Sequence, residues 1–373
     1  MRLPVRLLPV FASLFVPACS AATVADDVSE SEDAVVVDTH EPLAKAQYDA
    51  DAAFARSYTA RCGKTSGRPR VLLTGFGRFQ GIRDNATGRI VSRVVPAASY
   101  PETGPAAPGA IDPPEPQTSV AVGTVTFPKS GEVDVCAMVL PVYWDLAAIL
   151  LAKEIESFDP AFVMMNGVAG SAQSLSIELG SVNRAMTEDD GSDNLRPLAA
   201  SGESFATIIR SAAKSDTLKG LLLSYGSAKA AANTAIASHA DHVVGGRRFD
   251  EILPDAKLAG FPRSGNTYLC NNISYVTNYL MSNPGKSVAL LSSSTGTRSE
   301  RKGLKVKIDR DVTAVPRVFV HWPSSLTGEH LDDAADVMRS IIDAQLSALS
   351  SPEEGPIAGS NAMAEIVANG PTF

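Results

Sequence analysis

Aromatic side chains are scarce in this sequence, at 6% of 373 residues, and nowhere do they interleave with clustered Lys and Arg. That removes the stacking and electrostatic footprint of a nucleic-acid binder, and a formal charge of −8, from 33 basic against 41 acidic residues, points the same way. Cysteine is also sparse. There are four, none in a CxxC pair, and the five His (40, 239, 242, 321 and 330) do not combine with them at zinc-ligand spacing. No structural metal site and no cofactor motif is therefore expected. No apolar run reaches the ~20 residues of a membrane span. What is plentiful is aliphatic: 45% of the chain is hydrophobic, enough to bury one large core of a soluble globular protein.

The first twenty residues, MRLPVRLLPVFASLFVPACS, carry Arg2 and Arg6 ahead of an apolar stretch from Leu7 to Val16, then Ala18 and Cys19. This reads as an export signal over 1–19. Either Cys19 is the lipidated first residue of a lipoprotein, anchored at a membrane, or cleavage follows a small residue and the product is periplasmic or secreted. If Cys19 is lipidated, Cys62 and Cys136 are either a disulfide, which an oxidising compartment would permit, or two unpaired thiols.

Residues 20–67 are rich in Ala, Asp, Glu and Ser and read as a polar tether or extension, with a weakly amphipathic helix over 41–58. A compact domain is expected over 68–350. Buried strands are predicted at 71–76, 133–142, 161–170 and 287–294, and helices at 87–95, 144–158, 205–214, 269–281 and 331–349. This alternation implies a single α/β domain of three layers, a mostly parallel central sheet with helices on both faces, and a site at the carboxyl ends of strands. Insertions are expected near 97–119, which is Pro-rich, and 215–262; residues 351–373 read as a flexible tail.

Cys270 lies in PRSGNTYLCNNISYVTNYLM (262–281), where Leu269, Ile273, Val276 and Leu280 fall at helical spacing. The Cys then sits in the first turn of a helix, where free N–H groups and the positive dipole end favour thiolate. A buried apolar Cys would fit the same context. His321, in RVFVHWPSSL (317–326), ends a β-rich run, either as a partner for the thiol or as a structural histidine. Glu178, in SLSIELGSVN, is apolar-flanked, which suits a partnered carboxylate as well as an edge-strand one. HADH (239–242) sets two His at i, i+3 with no third ligand in view, and SSSTGT (292–297) lacks the Lys of a phosphate loop.

Taken in order, VLLTGFGRFQGIRDN (71–85), LPVYWD (140–145), NGVAGSAQSLSIELGSVN (166–183), TYLCN (267–271) and VFVHWP (318–323) resemble the pyroglutamyl-peptidase I family of cysteine peptidases. The resemblance implies a phosphorylase/hydrolase-like fold and removal of N-terminal pyroglutamyl residues from peptides. It also implies a catalytic set of Glu178, Cys270 and His321, with Phe76, Phe79 and Asn85 at the substrate, and a possible homo-oligomer. The sequence departs from the family where Leu179 and Glu188 replace two arginines and Asn266 a glycine. Those departures keep a second reading open, a catalytically silent relative that binds peptides or serves as a surface lipoprotein.

Overall fold

The computed structural model describes residues 32–33, 35–63, 66–79, 82–170, 172–210, 212, 217–219, 224–260 and 267–349. The export signal with Cys19, Asn266 and the 351–373 tail lie outside them. Seven strands build the central sheet: β1 (Arg70–Phe76), β2 (Ser119–Phe127), β3 (Gly131–Leu140), β4 (Phe162–Ala169), β5 (Leu175–Glu178), β6 (Ala256–Ala259) and β7 (Arg317–Pro323). Their order is β6-β5-β7-β4-β1-β3-β2. β7, β4, β1 and β3 run parallel, β2 and β5 pair antiparallel to this core, and β6 runs with β5. The inner strands are buried at nearly every position because both faces are covered.

Helices α1 (Pro42–Ser57), α3 (Leu146–Phe158) and α6 (Leu269–Ser282) pack with Leu72, Met138, Val163 and Phe319 on one face. Helices α2 (Ala86–Val94), α4 (Tyr225–His239), the one-turn α5 (Phe249–Ile252) and α8 (His330–Leu349) cover Leu73, Ala137, Met164, Val318 and Trp322 on the other. A short exposed α7 (Arg298–Lys302) is tied to α1, its Glu300 accepting from Tyr48 Oη (3.1 Å) and Lys45 Nζ (2.9 Å). The result is a three-layer α/β domain. No helix among the described residues is long and apolar enough to cross a membrane.

Three segments differ from the sequence reading. The Val288–Leu290 run leaves the central sheet for a small one with Glu32–Asp33 and Leu304–Val306. Phe205–Ala206 pairs with Ala185–Met186 as a strand where a helix is predicted. Residues 225–259, set aside as part of an insertion, supply α4 and the edge strand β6.

The end of the polar extension is tied into the body. Buried Glu154 accepts hydrogen bonds from the hydroxyl of Tyr58 and the N–H groups of Arg61 (2.8 Å) and Cys62 (2.9 Å). Cys62 and Cys136 form a disulfide that joins the chain after α1 to β3. Gln47 of α1 exchanges two hydrogen bonds with the backbone of Asp112, and Asp112 pairs with buried Arg78 (2.7 Å), so the Pro-rich loop is anchored at its far end.

Candidate active site

β4 and β7 are register partners, with His321 beside Gly167. Period-2 alternation puts Val318, Val320 and Trp322 on one face of the sheet and Phe319 and His321 on the other. On the neighbouring antiparallel strand β5, Ser176 faces His321, so Glu178, two residues on, projects from the same face. Oε1 of Glu178 lies 2.7 Å from Nδ1 of His321. Both side chains are buried, and the other oxygen, Oε2, has no hydrogen-bond partner among the described residues.

Cys270 reaches this face from α6. Tyr268 is the N-cap, which makes Cys270 the second helical residue, where an α-helix offers its backbone N–H no internal acceptor. The thiol is half-exposed and in hydrogen-bond contact with His321; with Nδ1 held by Glu178, Nε2 is the ring nitrogen left for sulfur. Room for the sulfur comes from Gly167: a Cβ there would stand 2.6 Å from Sγ of Cys270 and 2.9 Å from the Phe319 ring. Phe319 in turn backs the imidazole, with ring centroids 4.9 Å apart.

Burial works against a charged imidazole, but the Glu178 carboxylate, then the Cys270 sulfur and the hydrogen bonds to both, outweigh it, and the His321 pKa is pushed up to about 10. The array therefore holds a proton on the ring at neutral pH. A thiol, an imidazole and an orienting carboxylate in contact can move a proton from sulfur to nitrogen and back.

Second contacts hold α6 in place. Asn271 Oδ1 accepts from the Val182 N–H (2.9 Å) and its Nδ2 donates to the carbonyls of Val182 (2.9 Å) and Arg184 (2.8 Å). Fully buried Asp145 accepts from Asn272 Nδ2 (3.0 Å) and the Leu291 N–H (2.7 Å); burial lifts its pKa to about 6 against those two bonds.

Next to the thiol along the chain is an aromatic cluster. Tyr268 lies 5.4 Å, centroid to centroid, from Trp144 and 6.5 Å from Phe79. Phe76 is packed into the core beneath. Asn85 has a structural duty: its Oδ1 caps α2 by accepting from Thr87 N–H (3.1 Å) and Oγ1 (2.8 Å), and its own N–H donates to Tyr100 Oη (3.0 Å).

The loop carrying Glu188 is held to this cluster through its main chain. Trp144 Nε1 donates to the Glu188 carbonyl (3.1 Å) and Tyr268 Oη to that of Asp189 (2.5 Å), while the Glu188 side chain is exposed. Asp190 is buried, which raises its pKa to about 7. The Arg184 guanidinium lies over the Phe205 ring at 5.7 Å, and exposed Arg196 faces Asp38 at 3.9 Å.

Sequence reasoning left Tyr268, Gly167 and Asp145 out of the site. The missing signals were positional: Tyr268 is two residues before the Cys, and Gly167 and Asp145 lie within motifs already recognised, but what each touches depends on the fold.

No family model matches the chain, and no curated protein does. Among solved structures it is similar to pyroglutamyl peptidase I of Bacillus amyloliquefaciens, at 15% identity and a TM-score of 0.44, over 78% of this chain and 100% of that one. It is also similar to pyrrolidone carboxyl peptidase of Thermococcus litoralis (17% identity, TM-score 0.44, 76% of this chain and 95% of that one). The Pyrococcus furiosus enzyme of the same name gives 17% identity and a TM-score of 0.43, over 75% of this chain and 99% of that one.

Proposed function

We propose that this chain is an exported cysteine peptidase that removes N-terminal pyroglutamyl residues from peptides. The observation that carries the reading is the contact chain Glu178 to His321 to Cys270. Cys270 sulfur adds to the acyl carbon that joins the pyroglutamyl ring to the next residue, its proton resting on His321. The tetrahedral oxygen is met by the Cys270 backbone N–H. Collapse breaks the amide bond, and His321 gives its proton to the departing amine, leaving a thioester on Cys270. Water then adds to that thioester, passes a proton through His321 to the sulfur, and releases pyroglutamate. Partly exposed Phe79 and Tyr268, backed by buried Trp144, offer an apolar aromatic surface that suits a flat, neutral five-membered ring.

Export is supported by residues 1–19 and by the Cys62–Cys136 disulfide, which persists in oxidising compartments. A second reading, a silent peptide-binding relative, is favoured by the contacts the two arginines make elsewhere, Arg184 over the Phe205 ring and Arg196 toward Asp38. Turnover of a chromogenic pyroglutamyl amide by the purified chain and its Cys270→Ala variant separates the two. Hydrolysis by the wild type alone supports the peptidase, and absence of hydrolysis with retained binding of a pyroglutamyl peptide supports the silent relative. A panel of other N-acyl amides reads acyl specificity.

A further inference from the structure

Three of the five histidines gather, on the side of the sheet away from Cys270, around one buried carboxylate at the start of α8. Asp333 is 5% exposed and His330 1%. Oδ2 of Asp333 lies 2.7 Å from Nδ1 of His242 and 3.1 Å from Nδ1 of His330. Oδ1 is occupied separately, 3.1 Å from Nδ1 of His239. His242 and Asp333 are 91 residues apart in sequence, which is why the HADH motif shows no third ligand when read along the chain.

The tautomers decide what this cluster wants. Nε2 of His330 is 3.1 Å from the carbonyl oxygen of Arg247, which can only accept, so that nitrogen carries hydrogen. A neutral His330 then points the lone pair of Nδ1 at the lone pairs of Asp333 Oδ2. Two acceptors face each other at hydrogen-bond distance unless a cation lies between them or the buried ring takes a second proton. A ring nitrogen fixed by a backbone carbonyl, with the other free to coordinate, is the usual second contact of a metal-ligating histidine. His242 places Nδ1 at the same oxygen, while its Nε2 lies 3.8 Å from exposed Glu329, beyond hydrogen-bond distance. His239 holds Oδ1 and leaves Oδ2 to the cation.

We propose that His242, His330 and Asp333 bind a zinc ion, with His239 a positioning residue for the carboxylate. The three ligand atoms lie within 4.8 Å of one another. Tetrahedral Zn²⁺ with bonds of about 2.0–2.1 Å spaces its ligands by about 3.4 Å, so the Nδ1–Oδ2 distances of 2.7 and 3.1 Å open by about 0.7 and about 0.3 Å to admit it. Two imidazoles and one carboxylate suit zinc rather than Mg²⁺ or Ca²⁺, which take oxygen ligands. The ion ties the end of α4 and the Val243–Arg248 hairpin to the first turn of α8. Partly exposed His242 is the route of entry.

The test uses the full chain carrying Cys270→Ser, so that the thiol is not a competing ligand. Metal content after dialysis against Zn²⁺ and thermal unfolding with and without it are measured. About one zinc per chain, with Tm raised by at least about 3 °C at zinc well above its dissociation constant, is expected. His242→Gln, the variant least at risk of misfolding because its side chain is the most exposed of the ligands, abolishes both effects. His239→Gln weakens binding by about 10- to 100-fold without abolishing it. No bound zinc, or a Tm rise that His242→Gln and Asp333→Asn leave unchanged, overturns the proposal.

Discussion

Gly167 and His321 face each other across the β4–β7 ladder, and the space over the glycine holds the sulfur of Cys270. The glycine thus sets how closely the helix-borne thiol approaches the strand-borne imidazole. Gly167→Ala puts a methyl group 2.6 Å from that sulfur and against the Phe319 ring. Displacing a nucleophile by about 1 Å costs about 100-fold in rate, so kcat/KM for a pyroglutamyl amide falls by about that factor. The steric insertion also destabilises the fold by about 1–3 kcal/mol, read from urea unfolding. An alanine variant with unchanged kcat/KM would show that the thiol does not need this position.

Glu178→Gln keeps the shape of the side chain and removes its charge, which is the largest influence raising the His321 pKa. The ring proton is then lost at lower pH, and the alkaline limb of the kcat/KM profile moves down from about pH 10. Stability follows the same group. Because His321 titrates near 10 in the folded chain against an ordinary 6.5, its contribution is fully present below about pH 6.5 and is lost as pH rises toward 10. In Glu178→Gln that part of the stability-versus-pH curve flattens. An alkaline limb at the same pH in both proteins would remove Glu178 from the account.

The Cys62–Cys136 bridge closes a loop with a sequence separation of 74. Loop-closure entropy for that length corresponds to about 4 kcal/mol, and measured effects are often smaller. The double Cys→Ala variant should lose about 2–4 kcal/mol in urea unfolding. The same urea midpoint as wild type would mean that contacts around Glu154, not the bridge, hold the chain after α1.

Much of this architecture is legible in sequence because its central elements are strongly periodic. α2, α3, α6 and α8 lie within a residue or two of their apolar patterns, and VLLTGF and the 161–170 run are inner strands. What escapes is short or placed by long-range contact. β2 is half-exposed along most of its length and β6 has four residues, so neither carries a strong apolar signal. Val288–Leu290 is as apolar as an inner strand, yet its partners, Glu32–Asp33 and Leu304–Val306, draw it out of the central sheet. At the site, motif order picks out Glu178, Cys270 and His321, which the fold brings together. The role of Asn85 as a helix cap, the stacking of Arg184 on Phe205 and the convergence of His242 with Asp333 depend on tertiary contacts that spacing does not reveal.

The central claim is that His321 and Glu178 make Cys270 a nucleophile, and alkylation of Cys270 tests it without presupposing a substrate. The rate of carbamidomethylation by iodoacetamide, followed by peptide mapping at pH 6, is compared for the wild type and His321→Ala. The account predicts modification at Cys270 at least about 10-fold faster than at a free cysteine, falling to or below the free-cysteine rate in His321→Ala. Equal rates in the two proteins would contradict it.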